Sequence, residues 1–300
     1  MQWFKHTLVA LIFISFFAAC DSDVKKHPDN LSTGSIDISV DETFQPIIEQ
    51  ELKVFLNSYK DAKITAHYKP ESECFKDFLE NKARLILVTR NLMPGEKQMC
   101  EQRQIVPTAV ALAKDAIAVI LNPASTDTLL NINEIRGILT GAYKNKYTVV
   151  VDNQGSSTVR YITDSLLPGT QLGANVYAAK GNEAVVDYVA KNPNAIGFIG
   201  MSYVTNLSDS TTESFLNKVR VASIQNDSTR QFYKPYQAYI ALKLYPFTRK
   251  LFYIHRETYM GLGTGFANFM STDRGQLIFG HTHMFPLRMN IVIRDAAVNP

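Results

Sequence analysis

The run Val106–Leu121, VPTAVALAKDAIAVIL, decides the fold. Val106–Ala113 and Ala116–Leu121 are two apolar, strand-forming stretches, and only Lys114 and Asp115 separate them. Nothing at that junction can turn the chain, so both halves continue in one direction. One extended segment with its charges at the midpoint predicts a crossing between two lobes. On either side, short β-rich runs alternate with amphipathic helical stretches, which is the pattern of an α/β protein.

Working outward, Ser35–Val40 alternates as a strand and the run PIIEQELKVFLNSY reads as a helix, with Ile47, Ile48, Leu52, Phe55 and Leu56 on one side. Strands are expected at Ile64–Tyr68 and Arg84–Val88, with a helix from Ser72 to Asn81 and another opening at Pro94, where proline is tolerated. Beyond the crossing, NINEIRGILTG, TVRYITDSLL and NEAVVDYVAKN read as helices, TVVVDNQGSST as strand and loop, and AIGFIG as a buried strand. The chain returns near Phe232–Phe247 and ends in a strand LFYIHR, one helix GLGTGFANFMSTDRGQLIF and a strand RMNIVIR. Phe232, Tyr233, Tyr236, Tyr239, Tyr245 and Phe247 either line a groove or pack between lobes.

The chain has 300 residues, 46% of them hydrophobic and 20% charged, a composition suited to two globular units. A net charge of +3 excludes the strongly basic face of a nucleic-acid binder and leaves room for one local positive pocket. At the N-terminus, MQWFKH and the apolar TLVALIFISFFAA have the length of a secretory signal rather than a membrane span. The segment closes on Phe17-Ala18-Ala19-Cys20, which resembles a bacterial lipobox and implies cleavage before Cys20 and a lipid on its sulfur. The polar DSDVKKHPDNLSTGS that follows reads as a flexible tether. Cys74 and Cys100 form either a disulfide or a reduced pair and, without clustered His, no zinc site; His281 and His283 alternate as neighbours on one strand face do, a pattern that points to surface or loop chemistry over a metal.

The stretch Val149–Arg160, VVVDNQGSSTVR, ends a strand in small hydroxyls at the start of a helix. Such hydroxyls cap helices, and the same groups can hold an anion. A catalytic reading is poor. The GSST loop is no G-x-S-x-G elbow, no Gly-rich nucleotide loop is present, and GLGTG at Gly261 does not follow a strand at the needed spacing.

Several stretches, in order, resemble the PstS-like phosphate-binding proteins of bacterial ABC importers: VTRNLMPGE, VALAKDAIAVILNP, INEIRGILTG, DNQGSST, GNEAVVDYVAKNPNAIGFIG, LYPFTRKLFYIHR and GFANFMSTDRGQLI. The resemblance implies a two-lobed type II periplasmic-binding-protein fold, α/β, each lobe a mixed sheet flanked by helices with the ligand cleft between. The expected division is 1–19 signal peptide, 20–33 lipid-anchored tether, 34–113 with 236–300 as lobe 1, and 114–235 as lobe 2.

Carried over by position, the family's anion site falls on Asp41, Glu42, Thr43 and Phe44, on Ser72, on Thr89 and Arg90, and on Gly155, Ser156, Ser157 and Thr158. Arg90 matches one branch of the family, while another branch has a carboxylate there. The family's arginine four residues before the first serine is Asp152 here, and its middle glycine is Ser157. Arg90 is therefore the expected cation, with Arg160 either helping or facing solvent. Asp41, Glu42 or Asp152 would accept a ligand proton, and the alternative for Asp152 is an ion pair with Arg90 across the cleft. The expected function is an extracytoplasmic lipoprotein, monomeric and without a cofactor or metal, that captures phosphate or a similar oxyanion for an ABC permease. It is held at the membrane by its lipid, and the other reading is a PBP-like binding or sensor module with a diverged pocket.

Overall fold

The computed structural model describes residues 27–203 and 218–290. The signal segment, Cys20 and the start of the tether lie outside them. In chain order the elements are β1 (Gly34–Asp41), a 3-10 turn (Glu42–Phe44), α1 (Gln45–Ser58), β2 (Ala62–Lys69), α2 (Glu71–Leu79), β3 (Leu85–Val88), α3 (Pro94–Gln102) and β4 (Thr108–Leu121). Then come β5 (Leu129–Leu130), α4 (Ile132–Thr140), β6 (Thr148–Val151), α5 (Ser157–Tyr161), β7 (Val176–Ala178), α6 (Asn182–Lys191), β8 (Ala195–Gly200) and a 3-10 turn (Met201–Tyr203). The chain continues as β9 (Arg220–Val221), β10 (Ser223–Gln225), β11 (Phe232–Tyr233), α7 (Gln237–Ala241), β12 (Thr248–His255), α8 (Leu262–Ser271), α9 (Asp273–His281) and β13 (Phe285–Pro286).

One sheet runs through the molecule in the order β2-β1-β3-β12-β4-β8-β6-β7. β4 is the shared member. Its first half pairs antiparallel with β12, from Thr108 opposite His255 to Ala116 opposite Thr248, and its second half pairs with β8, from Ile117 opposite Gly200 to Leu121 opposite Ile196. The uninterrupted strand through Lys114 and Asp115 thus links two cores. On one side Ile38, Val40, Phe44, Ile47 and Phe266 pack together, with Phe78, Ile86 and Val88 beneath the other face. On the far side Ile117–Leu121, Val149–Val151, Phe198, Ile240, Tyr245 and Phe247 form the second core.

Local signals explain most boundaries. Asn131 caps α4 by accepting from the Glu134 N–H while Glu134 reaches back, and Gly141 ends that helix in the left-handed region at φ 78°. Ser156 caps α5, whose continuation to Leu166 widens until the Leu167 N–H bonds Ile162 O.

The structure departs from the sequence reading in several places. The expected single helix from Gly261 to Phe279 is two, broken at Thr272, whose extended backbone ends α8 and starts α9. Within the expected tether, Asp29 is buried and its carboxylate takes bonds from Arg84, Tyr259 and the Leu262 N–H. Near the expected return at residue 236, Gln237 Nε2 donates to Gly280 O and Met284 O beside the first core, while Ile240, Tyr245 and Phe247 pack in the second. Tyr245 and Phe247 are buried, whereas Phe232 and Tyr236 are exposed. Arg288–Asn290 are not extended, and the remainder of the strand expected there lies outside the described residues. Cys74 and Cys100 are buried and free.

Candidate functional site

Where β1, β4, β8 and β12 meet the loop after β6, polar side chains are buried in unusual number. Asp41, Thr43, Asp115, Asp152, Ser157 and Thr158 are fully buried, and Ser156, Ser202, Asn182 and Arg249 nearly so. Polar groups out of water must find partners or remain costly.

Arg249 is the hub. On β12 it lies directly opposite Asp115 of β4, and its Nε donates to Asp115 Oδ2 at 2.9 Å. Its Nη1 donates to Ser157 Oγ at 2.7 Å, which ties β12 to the loop after β6. The guanidinium stands over the Phe44 ring, 5.2 Å from its centroid. Its Nη2 has no hydrogen-bond partner among the described residues. Gly200, at the end of β8, makes this approach possible, because a Cβ there would collide with Thr43 and crowd Nη2. The Gly200 N–H donates to Asn182 Oδ1 at 3.2 Å.

Asp41 caps the turn after β1, where its Oδ1 accepts the Thr43 N–H at 3.0 Å. The Ser157 hydroxyl stands beside Asp41 and, as a hydrogen-bond donor, lowers its carboxyl, while Oδ2 has no partner at full bonding geometry among the described residues. Burial pushes the Asp41 carboxyl up to about 7; repulsion from Glu71 adds to this and Arg249 opposes it. Asp152, the residue after β6, accepts from Ser156 Oγ at 2.5 Å and from the Asn153 N–H at 2.9 Å. Its carboxyl is also raised by burial. Ser156 Oγ in turn accepts the Val159 N–H at 3.1 Å, so the capping role of this loop is real.

A second cluster joins the two lobes nearby. Glu71 opens α2, and its Oε1 accepts both the Thr89 N–H at 2.6 Å and the Thr89 hydroxyl at 2.7 Å. From the other lobe, Arg160 Nε donates to Glu71 Oε2 at 2.5 Å and Nη2 to Thr89 Oγ1 at 2.6 Å. The Ser72 N–H donates to Gly155 O at 3.1 Å, and a side chain at Gly155 would collide with the Ser72 hydroxyl. Ser202 Oγ donates to Thr43 O at 2.6 Å, and Tyr203 OH to Glu42 O at 3.1 Å. The lobes are in contact on both flanks of the polar cluster.

A family model described as a PBP superfamily domain matches residues 26–274 of this chain. The chain belongs to the PBP superfamily. Within this superfamily its likeness is to PstS-like proteins. It is 25% identical to the phosphate-binding protein PstS of Bacillus subtilis over 224 residues, 67% of this chain and 73% of that protein. It is 24% identical to protein SphX of Synechocystis over 191 residues, and so spans little more than half of that relative, 55% of its length. Among solved structures, a candidate phosphate ABC transporter substrate-binding protein from Clostridium perfringens, with bound phosphate, superposes with a TM-score of 0.72 at 23% identity. That match covers 85% of this chain and 100% of the other. At such identity the likeness speaks for the fold, the two-lobed type II architecture.

This PBP-superfamily chain arranges its carried-over residues unevenly. Asp41, Thr43, Asp152, Ser156 and Ser157 come together with Arg249, and Thr158 follows Ser157 fully buried. Phe44 supplies its ring beneath that guanidinium but is itself core. Glu42 stays at the edge with one buried oxygen that has no partner among the described residues, its carboxyl raised by burial and then by Asp152. Ser72 is exposed at the cleft rim, and the buried residue at that helix start is Glu71. Thr89 is bonded to Glu71 and Arg160.

Arg90 does not hold the expected position. Its Nη1 and Nη2 fork onto Glu96 at 2.6 and 2.8 Å, with the guanidinium 3.5 Å from the centre of the Phe75 ring. The Asp152–Arg90 pair is therefore not formed. Sequence reasoning missed Arg249, Asp115 and Glu71. The signal for the first two was present: charges in phase with the buried positions of strands that are otherwise apolar at those positions. Among the described residues no group of His, Cys, Asp and Glu has the arrangement of a metal site, and no helix is long and apolar enough to cross a membrane.

Proposed function

We propose that this chain is an extracytoplasmic solute-binding lipoprotein that captures inorganic phosphate or a similar oxyanion and delivers it to an ABC permease. One observation carries the reading. Arg249 Nη2, Thr43 Oγ1, Thr158 Oγ1 and Asn182 Nδ2 are buried donors without partners among the described residues; Arg249 bonds Ser157 beside Thr158, Thr43 and Arg249 flank Gly200, and Asn182 accepts the Gly200 N–H. Such donors suit the oxygens of a desolvated tetrahedral anion, and the guanidinium adds charge-assisted bonds. In this reading Arg249 replaces Arg90 as the main cation, and Arg160 acts as a tie between lobes. The names of the relatives support the ligand class, and the lipobox at Cys20 supports the anchor. Residues 34–113 with the chain from β12 onward form one lobe and 114–247 the other.

Calorimetric titration of the full chain with phosphate tests the ligand. Saturable heat lost in Arg249→Ala is expected, and its absence in the wild type overturns the reading. Cys20→Ala should move the protein from the membrane fraction to the soluble one. Asp152 and Ser157, which stand where relatives of this kind carry arginine and glycine, favour a second reading: a PBP-like sensor for a different ligand. A thermal-shift panel of oxyanions and organic acids separates the two, because only a ligand of the native state raises the midpoint.

A further inference from the structure

The charges around Arg249 do not suit a dianion. Arg249 is already matched by Asp115, and Arg160 by Glu71. Asp41 and Asp152 remain, both fully buried, and each leaves its Oδ2 without a hydrogen-bond partner among the described residues. A buried carboxylate oxygen can only accept, and an acceptor left unmet in the interior is costly. The surroundings offer these two oxygens little. Asp41 faces the Thr43 N–H, the Ser157 hydroxyl, Arg249 and the opposing charge field of Glu71, with the Tyr203 phenol and the Cys74 thiol also within its field. Asp152 faces Ser156, the Asn153 N–H, Arg249 and the carboxyl of Glu42.

Resting on the oxyanion reading, we propose that the seat takes phosphate as the doubly protonated monoanion. One P–OH donates to Asp41 Oδ2 and the other to Asp152 Oδ2, while the unprotonated oxygens face Arg249, Thr43 and Thr158. Hydrogen phosphate has one hydroxyl for two waiting acceptors, and its second negative charge would meet Asp41, Asp115 and Asp152 at low dielectric. Sulfate has none. Burial raises both carboxyls, that of Asp41 to about 7, which favours a shared proton over a bare carboxylate oxygen at each site. Whether each proton is drawn on the ligand or on the aspartate, the complex holds two. The two carboxylates would thus set which ionic form is accepted.

Calorimetry of the full chain with inorganic phosphate, in two buffers of different ionisation enthalpy, reads the proton count directly. Above the second ionisation of phosphate, each binding event should take up about one proton, and affinity should fall about tenfold per pH unit. Affinity that holds steady or rises with pH, without proton uptake, overturns the proposal and leaves the oxyanion reading intact. Failure to bind phosphate at any pH overturns both. In Asp152→Asn the amide can donate to an unprotonated oxygen, so proton uptake in the alkaline range should fall toward zero and the pH slope should flatten. Unchanged uptake in that variant, with its fold verified by circular dichroism, likewise refutes the two-proton assignment.

Discussion

Arg90 and Arg249 invite comparison. Arg90 sits in the loop after β3 with 16% of its side chain exposed, forked onto Glu96 of its own lobe. Arg249 lies within β12 with 3% exposed, held by Asp115 on the neighbouring strand and bonded to Ser157 of the opposite lobe. The first is a local staple whose partner is six residues away. The second is a long-range junction, and only it reaches the buried hydroxyls. A loop arginine can find a carboxylate within its own loop and be consumed by it. A strand arginine held in register by pairing with its neighbour, here Arg249 opposite Asp115, points where the sheet points it.

The sharpest way to break this comparison is to exchange the two roles. Arg249→Ala should abolish measurable phosphate binding. It should also cost about 3–5 kcal/mol in denaturant unfolding, because Asp115 would be left buried and uncompensated. Binding that survives this change but is lost in Arg90→Ala would reverse the assignment.

Glu51 sharpens the comparison as a control. It is as deeply buried as Asp115, but both oxygens lack partners among the described residues, and burial pushes its carboxyl up to about 9. A folded-state value above the unfolded one means that the native protein holds a proton the unfolded chain has released. Stability is then lost as pH rises from about 4.5 to about 9. Glu51→Gln should remove that slope and stabilise the protein by a few kcal/mol (roughly 2–4) at the alkaline end, as read from melting midpoints across pH.

Arg160→Ala tests the tie between lobes. Losing the bonds to Glu71 and Thr89 should weaken phosphate binding about tenfold and cost about 1–3 kcal/mol, since Glu71 would remain buried without its cation. Small-angle scattering should show a more open average shape. Arg90→Ala, the smallest effect, should cost about 1 kcal/mol or less and change phosphate affinity by less than about threefold.

The sequence made the fold legible because hydrophobic period and turn residues are local signals. The β4 crossing could be read from the lack of any turn residue between Ala113 and Ala116, and α4 from its capping box. The failures were of two kinds, one local and one not. Thr272 splits α8 from α9 through a backbone angle that no pattern of apolar residues encodes. The site was half legible. The hydroxyl loop could be found because strand, loop and cap are contiguous. Arg249 and Asp115 lie 134 residues apart, and only the pairing of β4 with β12 makes them neighbours. Even so, the phase of Arg249, between exposed Lys250 and half-buried Thr248 and in step with buried Leu251, marks it as an inward charge. The same test flags Glu51 among Ile47, Ile48, Leu52 and Phe55 on the apolar side of α1.

The strand that joins the two halves also carries half of the buried ion pair, Asp115, and its partner strand carries the other half. A guanidinium mounted on the pivot travels least when a clamshell opens, whereas the serines and threonines on either jaw swing away from it. An incoming anion should therefore meet fixed charge first and the jaws' hydroxyls only as they close, so that capture begins at the axle and is completed at the rim.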